Sequence, residues 1–144
     1  MIVSPVKLFP MYLLHVLSFV FFLGLFPGAY AVLNDDVDDT VNDIIEAIEG
    51  GRARDVSAFF GSNVDLTTPG AEGTYSKSHA EMIIRDFFSR NTPSSFLITH
   101  RSPMRDGSVF ASGRLTTEEG NNFRCHILIK RISGEYVLHQ LKFE

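Results

Sequence analysis

Hydrophobic and polar positions follow two rhythms along this chain, and the change falls near Ser94. Upstream, apolar residues mostly recur every three or four positions, the spacing of one helix face; downstream they alternate, as on one face of a strand. The first helical stripe is Val37, Val41, Ile44, Ile45 and Ile48, opened by Asp35 and Asp36 as caps and closed by Gly50-Gly51. Arg52 to Phe60 reads as a short second helix burying Val56, Phe59 and Phe60. Asn63 to Thr68 predicts a strand, with Val64 and Leu66 on one side and Asp65 and Thr67 on the other. Pro69-Gly70 and Gly73 mark turns around a brief extended segment at Thr74-Tyr75. A third helix begins at Ser76 and presents Ala80, Ile83, Ile84, Phe87 and Phe88, with Ser78 and Glu81 at capping-box spacing. Asn91-Thr92-Pro93 stops it.

Four strands follow in the alternating part: Ser95 to Arg101, Ser108 to Thr117, Asn122 to Arg131 and Glu135 to Phe143. Asp106-Gly107, Glu118 to Asn121 and Ser133-Gly134 are the turns between them. Helices segregated from an antiparallel meander predict an α+β domain.

The N-terminus carries a different signal. Met1 to Tyr12 has one charged side chain, Lys7, and Leu13 to Phe26 is almost wholly apolar. Pro27-Gly28 then breaks any helix, and Ala29-Tyr30-Ala31 supplies small residues at the −3 and −1 positions of a cleavage site. That is the order of a secretory signal, so residues 1–31 are expected to leave and residues 32–144 to remain as one domain. An uncleaved anchor is the alternative, because the apolar stretch counted from Leu8 approaches spanning length, although Pro10 interrupts it. No Cys follows the apolar region, so no lipoprotein is expected, and no second stretch of spanning length occurs. The expected location is therefore periplasmic or extracellular, with no membrane association after cleavage.

Charge narrows the partners. Residues 1–31 hold one base and no acid, so the remainder carries 12 bases and 17 acids, a net of −5. A compact acidic domain repels a phosphate backbone, and no nucleic-acid partner is expected. The acids Asp35, Asp36, Asp38 and Asp39 lack the Gly and the twelfth-position Glu of a calcium loop and read as helix-end charges. With a single cysteine, Cys125, no intramolecular disulfide can form. It reads as a small core residue, with Arg124 and His126 on the opposite face, against the alternatives of a reactive thiol or an intermolecular disulfide. His79, His100, His126 and His139 show no metal-ligand spacing, and no phosphate loop or nucleophile elbow occurs, so neither metal nor cofactor is expected.

The element order, with a long third helix before a curved meander, resembles the nuclear transport factor 2-like (cystatin-like cone) superfamily. Gly73-Thr74-Tyr75-Ser76-Lys77, Arg85-Asp86-Phe87-Phe88-Ser89, Asp106-Gly107-Ser108, Leu115-Thr116-Thr117 and Gln140-Leu141-Lys142-Phe143-Glu144 are similar to a family of exported bacterial domains of unknown function within it. The resemblance implies three helices packed on a curved antiparallel sheet that encloses a cone-shaped cavity, with the outer sheet face as a frequent dimer interface. It also implies where chemistry would sit, since ketosteroid isomerases and scytalone dehydratase of that superfamily place an Asp or His base inside the cone.

Parity along the strands supplies candidates for this chain. His139 shares a face with Val137, Leu141 and Phe143, His100 with Phe96 and Ile98, and Asp65 lies opposite Val64 and Leu66. Asp65, His100 and His139 are thus weak catalytic candidates, and with Tyr75 they form the expected ligand-binding set. Leu128, Tyr136 and Leu138 are expected on the outer face as a homodimer surface, among Arg124, His126, Lys130, Gln140 and Lys142. The leading expectation is a non-enzymatic module that binds a small apolar ligand in the cone or an envelope protein on the sheet. The alternatives are a small isomerase, dehydratase or cyclase type of enzyme, and an accessory subunit of an envelope assembly. N-terminal sequencing of the protein recovered from an exporting host is expected to begin at Val32; a chain beginning at Met1 would contradict cleavage.

Overall fold

The computed structural model describes residues 35–144, and the signal-peptide and cleavage readings at Ala29 and Ala31 lie outside the described residues. Helix α1 (Asp35–Glu49) forms where the apolar stripe runs, and Val41, Ile44 and Ile48 are fully buried. Burying a side chain of this size stabilises by about 1.5–3 kcal/mol, which is what holds a helix this rich in acids against the domain. Helix α2 (Ala53–Ala58) is shorter than the pattern implied, because Phe60 already opens strand β1 (Phe60–Thr68) by pairing with Leu138. Strand β2 (Ala71–Ser76) returns antiparallel to β1, a full six-residue strand where only a brief extended segment was expected.

Helix α3 (Lys77–Arg90) buries Ala80, Ile84, Phe87 and Phe88, as its stripe predicts. Its N-cap is Ser76, whose hydroxyl accepts the His79 N–H at 3.4 Å, so the Ser78–Glu81 capping box does not form. Glu81 instead accepts a 2.9 Å hydrogen bond from Ser57 Oγ and pairs with Arg85, tying α3 to α2.

Strands β3 (Pro93–Pro103), β4 (Val109–Thr117), β5 (Asn122–Ile132) and β6 (Glu135–Phe143) form the meander. At the β3–β4 turn the Ser108 N–H donates to the Asp106 carboxylate at 2.9 Å and holds its pKa below the ordinary value. Ser133 and Gly134, both at positive φ, form the two-residue hairpin loop between β5 and β6. The six strands make one sheet in the order β2-β1-β6-β5-β4-β3. Every neighbouring pair is antiparallel except β1 with β6, which run parallel and join the start of the sheet to its end. All three helices cover one face, α3 over β1 and β2, α1 over β3 and β4. Arg101 on β3 fixes α1 by donating to Asp38 at 2.7 Å and to Asn42 at 2.9 Å.

Two bulges decide which side chains enter the core. Thr99 is an extra residue on β3 opposite Gly113 and Ser112, and His139 is an extra residue on β6 opposite Leu128 and Ile129. Each bulge reverses the alternation beyond it. His100 therefore pairs with Ser112 on the outer face and leaves the side of Phe96 and Ile98. Leu138 turns inward and is fully buried, and Tyr136 packs against the core on the same side. The homodimer triad is thus corrected: of Leu128, Tyr136 and Leu138, only Leu128 stands on the outer face.

Gly113 faces inward beneath Phe96. A Cβ there would sit 2.6 Å from the Leu97 carbonyl oxygen and closer still to the Phe96 ring. Gly113→Ala is expected to lower the urea unfolding free energy by about 1–3 kcal/mol through overpacking, and a change below about 0.5 kcal/mol would contradict this packing.

Candidate functional site

Inside the cone the space is taken by aromatic rings. Phe87 of α3 stacks on Phe143 of β6 with centroids 4.8 Å apart, and Phe123 of β5 meets Phe87 edge-on at 5.1 Å. Phe88 adds a second edge contact to Phe143 at 6.0 Å. Offset and edge-to-face pairs at these distances are the favourable aromatic geometries. Among the described residues the buried polar side chains are Ser57, Thr68, Ser108 and Thr117, none of which titrates near neutrality. Cys125 is the buried thiol, free, and burial pushes its pKa far above the ordinary thiol value. A thiol so held is protonated and inert, which matches its reading as a core residue.

The expected site residues do not converge. Asp65 pairs with Gln140 and Thr74 on the outer face, where Thr74 Oγ1 donates to Asp65 Oδ1 at 2.6 Å. Tyr75 lies on the inner face opposite Val64 and meets His79 edge-on at 5.0 Å. His139 is the half-buried bulge residue of β6. His100 belongs to β3 at the far edge of the sheet. Three strand spacings separate β6 from β3 and four separate β1 from β3, roughly 14 and 19 Å at the usual interstrand distance. Asp65 and His139 stand on neighbouring strands, His139 next in sequence to Gln140, the partner of Asp65, but no hydrogen bond joins them, and His100 lies across the sheet from both.

Two of the concavities among the described residues bear on the site, and a smaller one of about 230 Å³ gathers Asp65, Glu72 and Lys142 on the outer face. A cleft of about 590 Å³ runs between α3 and the β1–β2 turn, with Met82, Ile83 and Phe87 as its apolar wall and Asp86 and Arg90 beside them. Asp86 and Arg90 are already bound to each other at 3.0 Å. The second, about 540 Å³, sits on the outer sheet face around Thr99, Ser112, Arg114, Asn122, Arg124 and Glu144.

The outer face is ordered in cross-strand rows. Leu97, Arg114, Arg124 and Glu144 form one; His100, Ser112, His126, Lys142, Thr67 and Glu72 the next; Ser102, Phe110, Leu128, Gln140, Asp65 and Thr74 a third. Lys130 and Val137 continue beyond them. Phe110 stacks on His126 with centroids 5.8 Å apart. This face sets Arg114, Arg124, Lys130 and Lys142 beside Asp65, Glu72 and Glu144, whereas α1 holds seven acids and no base. Strand parity already puts Arg124, His126, Lys130 and Lys142 on this face; Arg114, on another strand, joins them only through pairing with Arg124.

Residues 41–144 match the family model described as a domain of unknown function, DUF4783. The chain belongs to the DUF4783 family. Among solved structures, the DUF4783 protein of Bacteroides ovatus is 31% identical, with 70% of this chain and 90% of that chain covered and a TM-score of 0.64. That of Bacteroides uniformis is 29% identical, with 72% and 94% covered and a TM-score of 0.66. A cystatin fold protein from Novosphingobium aromaticivorans is 10% identical over 74% of this chain and 95% of that one, TM-score 0.57, a likeness of fold alone. No curated protein matches the chain. The DUF4783 domain thus has the nuclear transport factor 2-like, cystatin-like cone, with its helices on a curved six-stranded sheet.

The buried thiol of this DUF4783 domain gives a pH test. Above the ordinary thiol value of about 9 the unfolded chain ionises Cys125 while the folded chain keeps it protonated. The folded state then binds more protons, so stability falls as pH rises, by about 1.4 kcal/mol per unit from this group. Urea unfolding of wild type and Cys125→Ala between about pH 8 and 10 is expected to show the steeper loss in wild type; parallel slopes would contradict it.

Proposed function

We propose that this DUF4783 protein is an exported, non-enzymatic interaction module whose outer sheet face is its recognition surface. The observation that carries the reading is the filled cone. A ligand of even a few carbon atoms would have to displace the stacked Phe87 and Phe143 rings, whose burial supports the whole domain. An isomerase or dehydratase reading needs a titratable base inside the cone, and Asp65 and His100 stand on the other side of the sheet. Export rests on the apolar N-terminal run and the Ala29-Tyr30-Ala31 site.

Recognition on the outer face is supported by its makeup. Phe110 and Leu128 are half-buried apolar side chains set among Arg114, Arg124, Lys130 and Lys142. Apolar footing within a polar, charged rim is the usual composition of a protein-binding surface. A second reading, a small amphipathic ligand, is favoured by the cleft between α3 and the β1–β2 turn, where an apolar wall adjoins Asp86 and Arg90.

Native mass spectrometry of the protein purified gently from an exporting host separates the two readings. A polypeptide mass with no retained small molecule is expected, together with no binding of a fluorescent fatty acid. A retained ligand lost on Met82→Asp would move the function to the cleft and overturn the reading.

A further inference from the structure

The acidic side of α1 and a cluster of bases on β4, β5 and β6 of the outer sheet face lie on opposite sides of this domain, with Asp65, Glu72 and Glu144 bordering the cluster. On the outer sheet face Arg114 stands directly across from Arg124, and His126 directly across from Lys142. Like charges opposed across neighbouring strands destabilise the pairing that holds them. Among the described residues, Arg114, Arg124, Lys130 and Lys142 close no ion pair. Glu144 is the acid across from Arg124, joined to it only through the backbone.

On α1 the exposed side carries Asp36, Asp39, Asp43 and Glu46, three or four residues apart, so each sits beside the next with the same charge. Of these only Glu46 has a cationic partner, Arg52 at 3.3 Å. Because α1 packs on the inner face of β3 and β4, its exposed side points away from the outer sheet face. The two surfaces cannot neutralise each other within one molecule. Between molecules they match in sign and in length. Asp36 to Glu46 spans about 15 Å of helix, and Arg124 to Lys130 about 20 Å of strand.

We infer that the outer sheet face docks the acidic side of α1 from a second copy of this chain, head to tail. The inference rests on the outer face being the recognition surface and names its occupant. Two-fold stacking centred on the Arg114–Arg124 pair is disfavoured, since it would set these arginines against groups of their own charge. Phe110 and Leu128 lie between the cations and give the approaching helix an apolar footing. A head-to-tail contact leaves one unused surface at each end, so association continues past the dimer or closes into a ring.

Sedimentation velocity of the mature exported protein provides the test. At about 0.01 M salt, where charges act over about 30 Å, species larger than a monomer are expected to grow with protein concentration; at about 1 M, where that range is about 3 Å, they dissociate. Arg114→Glu with Lys142→Glu removes the basic surface while placing each new carboxylate opposite a basic neighbour, so the sheet keeps its stability. Asp39→Lys with Asp43→Lys removes the acidic one. Each double variant alone is expected to be monomeric at low salt, and an equal mixture of the two to form a discrete dimer, since one intact surface of each kind remains. A monomeric wild type at low salt, a mixture that stays monomeric, or an α1 variant that still self-associates would each overturn the inference. None of those outcomes puts a small molecule in the mass spectrum, so the recognition-surface reading is judged separately.

Discussion

The stacking of Phe87 on Phe143 is the contact on which the other features rest. Phe143 closes β6, the strand that lies between β5 and β1 and is the parallel partner of β1. Phe87 belongs to α3, which packs over β1 and β2. One ring pair therefore joins the late meander to the early hairpin, two segments far apart in sequence. Phe88 of the same helix adds an edge contact to Phe143, so two rings of α3 cover the end of β6 beside its parallel seam with β1. Such a pair adds about 0.5–1.5 kcal/mol beyond the area it buries, and each ring buries 150–250 Å² or so. Phe123 and Phe88 extend the same cluster to β5 and along the helix, so the curved sheet closes on aromatic carbon rather than on an open cavity.

A cone packed in this way leaves the outer face and the cleft beside α3 as open surfaces. The same curved sheet that encloses a pocket elsewhere in this fold is here a support. Its inner side packs the helices, and its outer side carries Arg114, Arg124, Lys130 and Lys142 beside Asp65, Glu72 and Glu144. The DUF4783 relatives, near 30% identity, carry the architecture of this chain along most of their length. The cystatin fold protein at 10% identity shares the architecture only. A fold shared so widely says little about activity, and the argument for function has to come from particular side chains.

Much of this architecture was legible in the sequence because burial leaves a period behind. Val41, Ile44 and Ile48, and Ala80, Ile84 and Phe87, are apolar where a helix turns inward, and Cys125, Ile127 and Ile129 alternate on a strand buried on one face. The site was less legible for a specific reason. Tyr136, Val137 and Leu138 are three consecutive apolar residues, and Phe96, Leu97 and Ile98 are another three. Such runs fit either parity equally well, so nothing in them marks the bulges at His139 and Thr99. One extra residue at each place was enough to move Leu138 from the outer face to the core and His100 from the core side to the outer face. The β1–β6 pairing is hidden for a related reason, since a parallel contact between distant segments leaves no turn to read.

The charges show the same limit from the other side. Counted along the chain, the domain is simply acidic. Folded, seven of its acids stand together on α1, and Arg114, Arg124, Lys130 and Lys142 stand together on the outer rows of the sheet, with the core between them. Arg101 bonded to Asp38 and Asn42 is a cation used within the fold, and it sits on the inner face where it anchors α1 to β3. Arg114 and Arg124 have the same chemistry but stand on the outer face beside each other. Stability alone gives no reason to keep two arginines opposed across a strand pair on an exposed surface. An acidic surface arriving from outside the molecule would give one, which ties the opposed arginines to the inferred docking of α1.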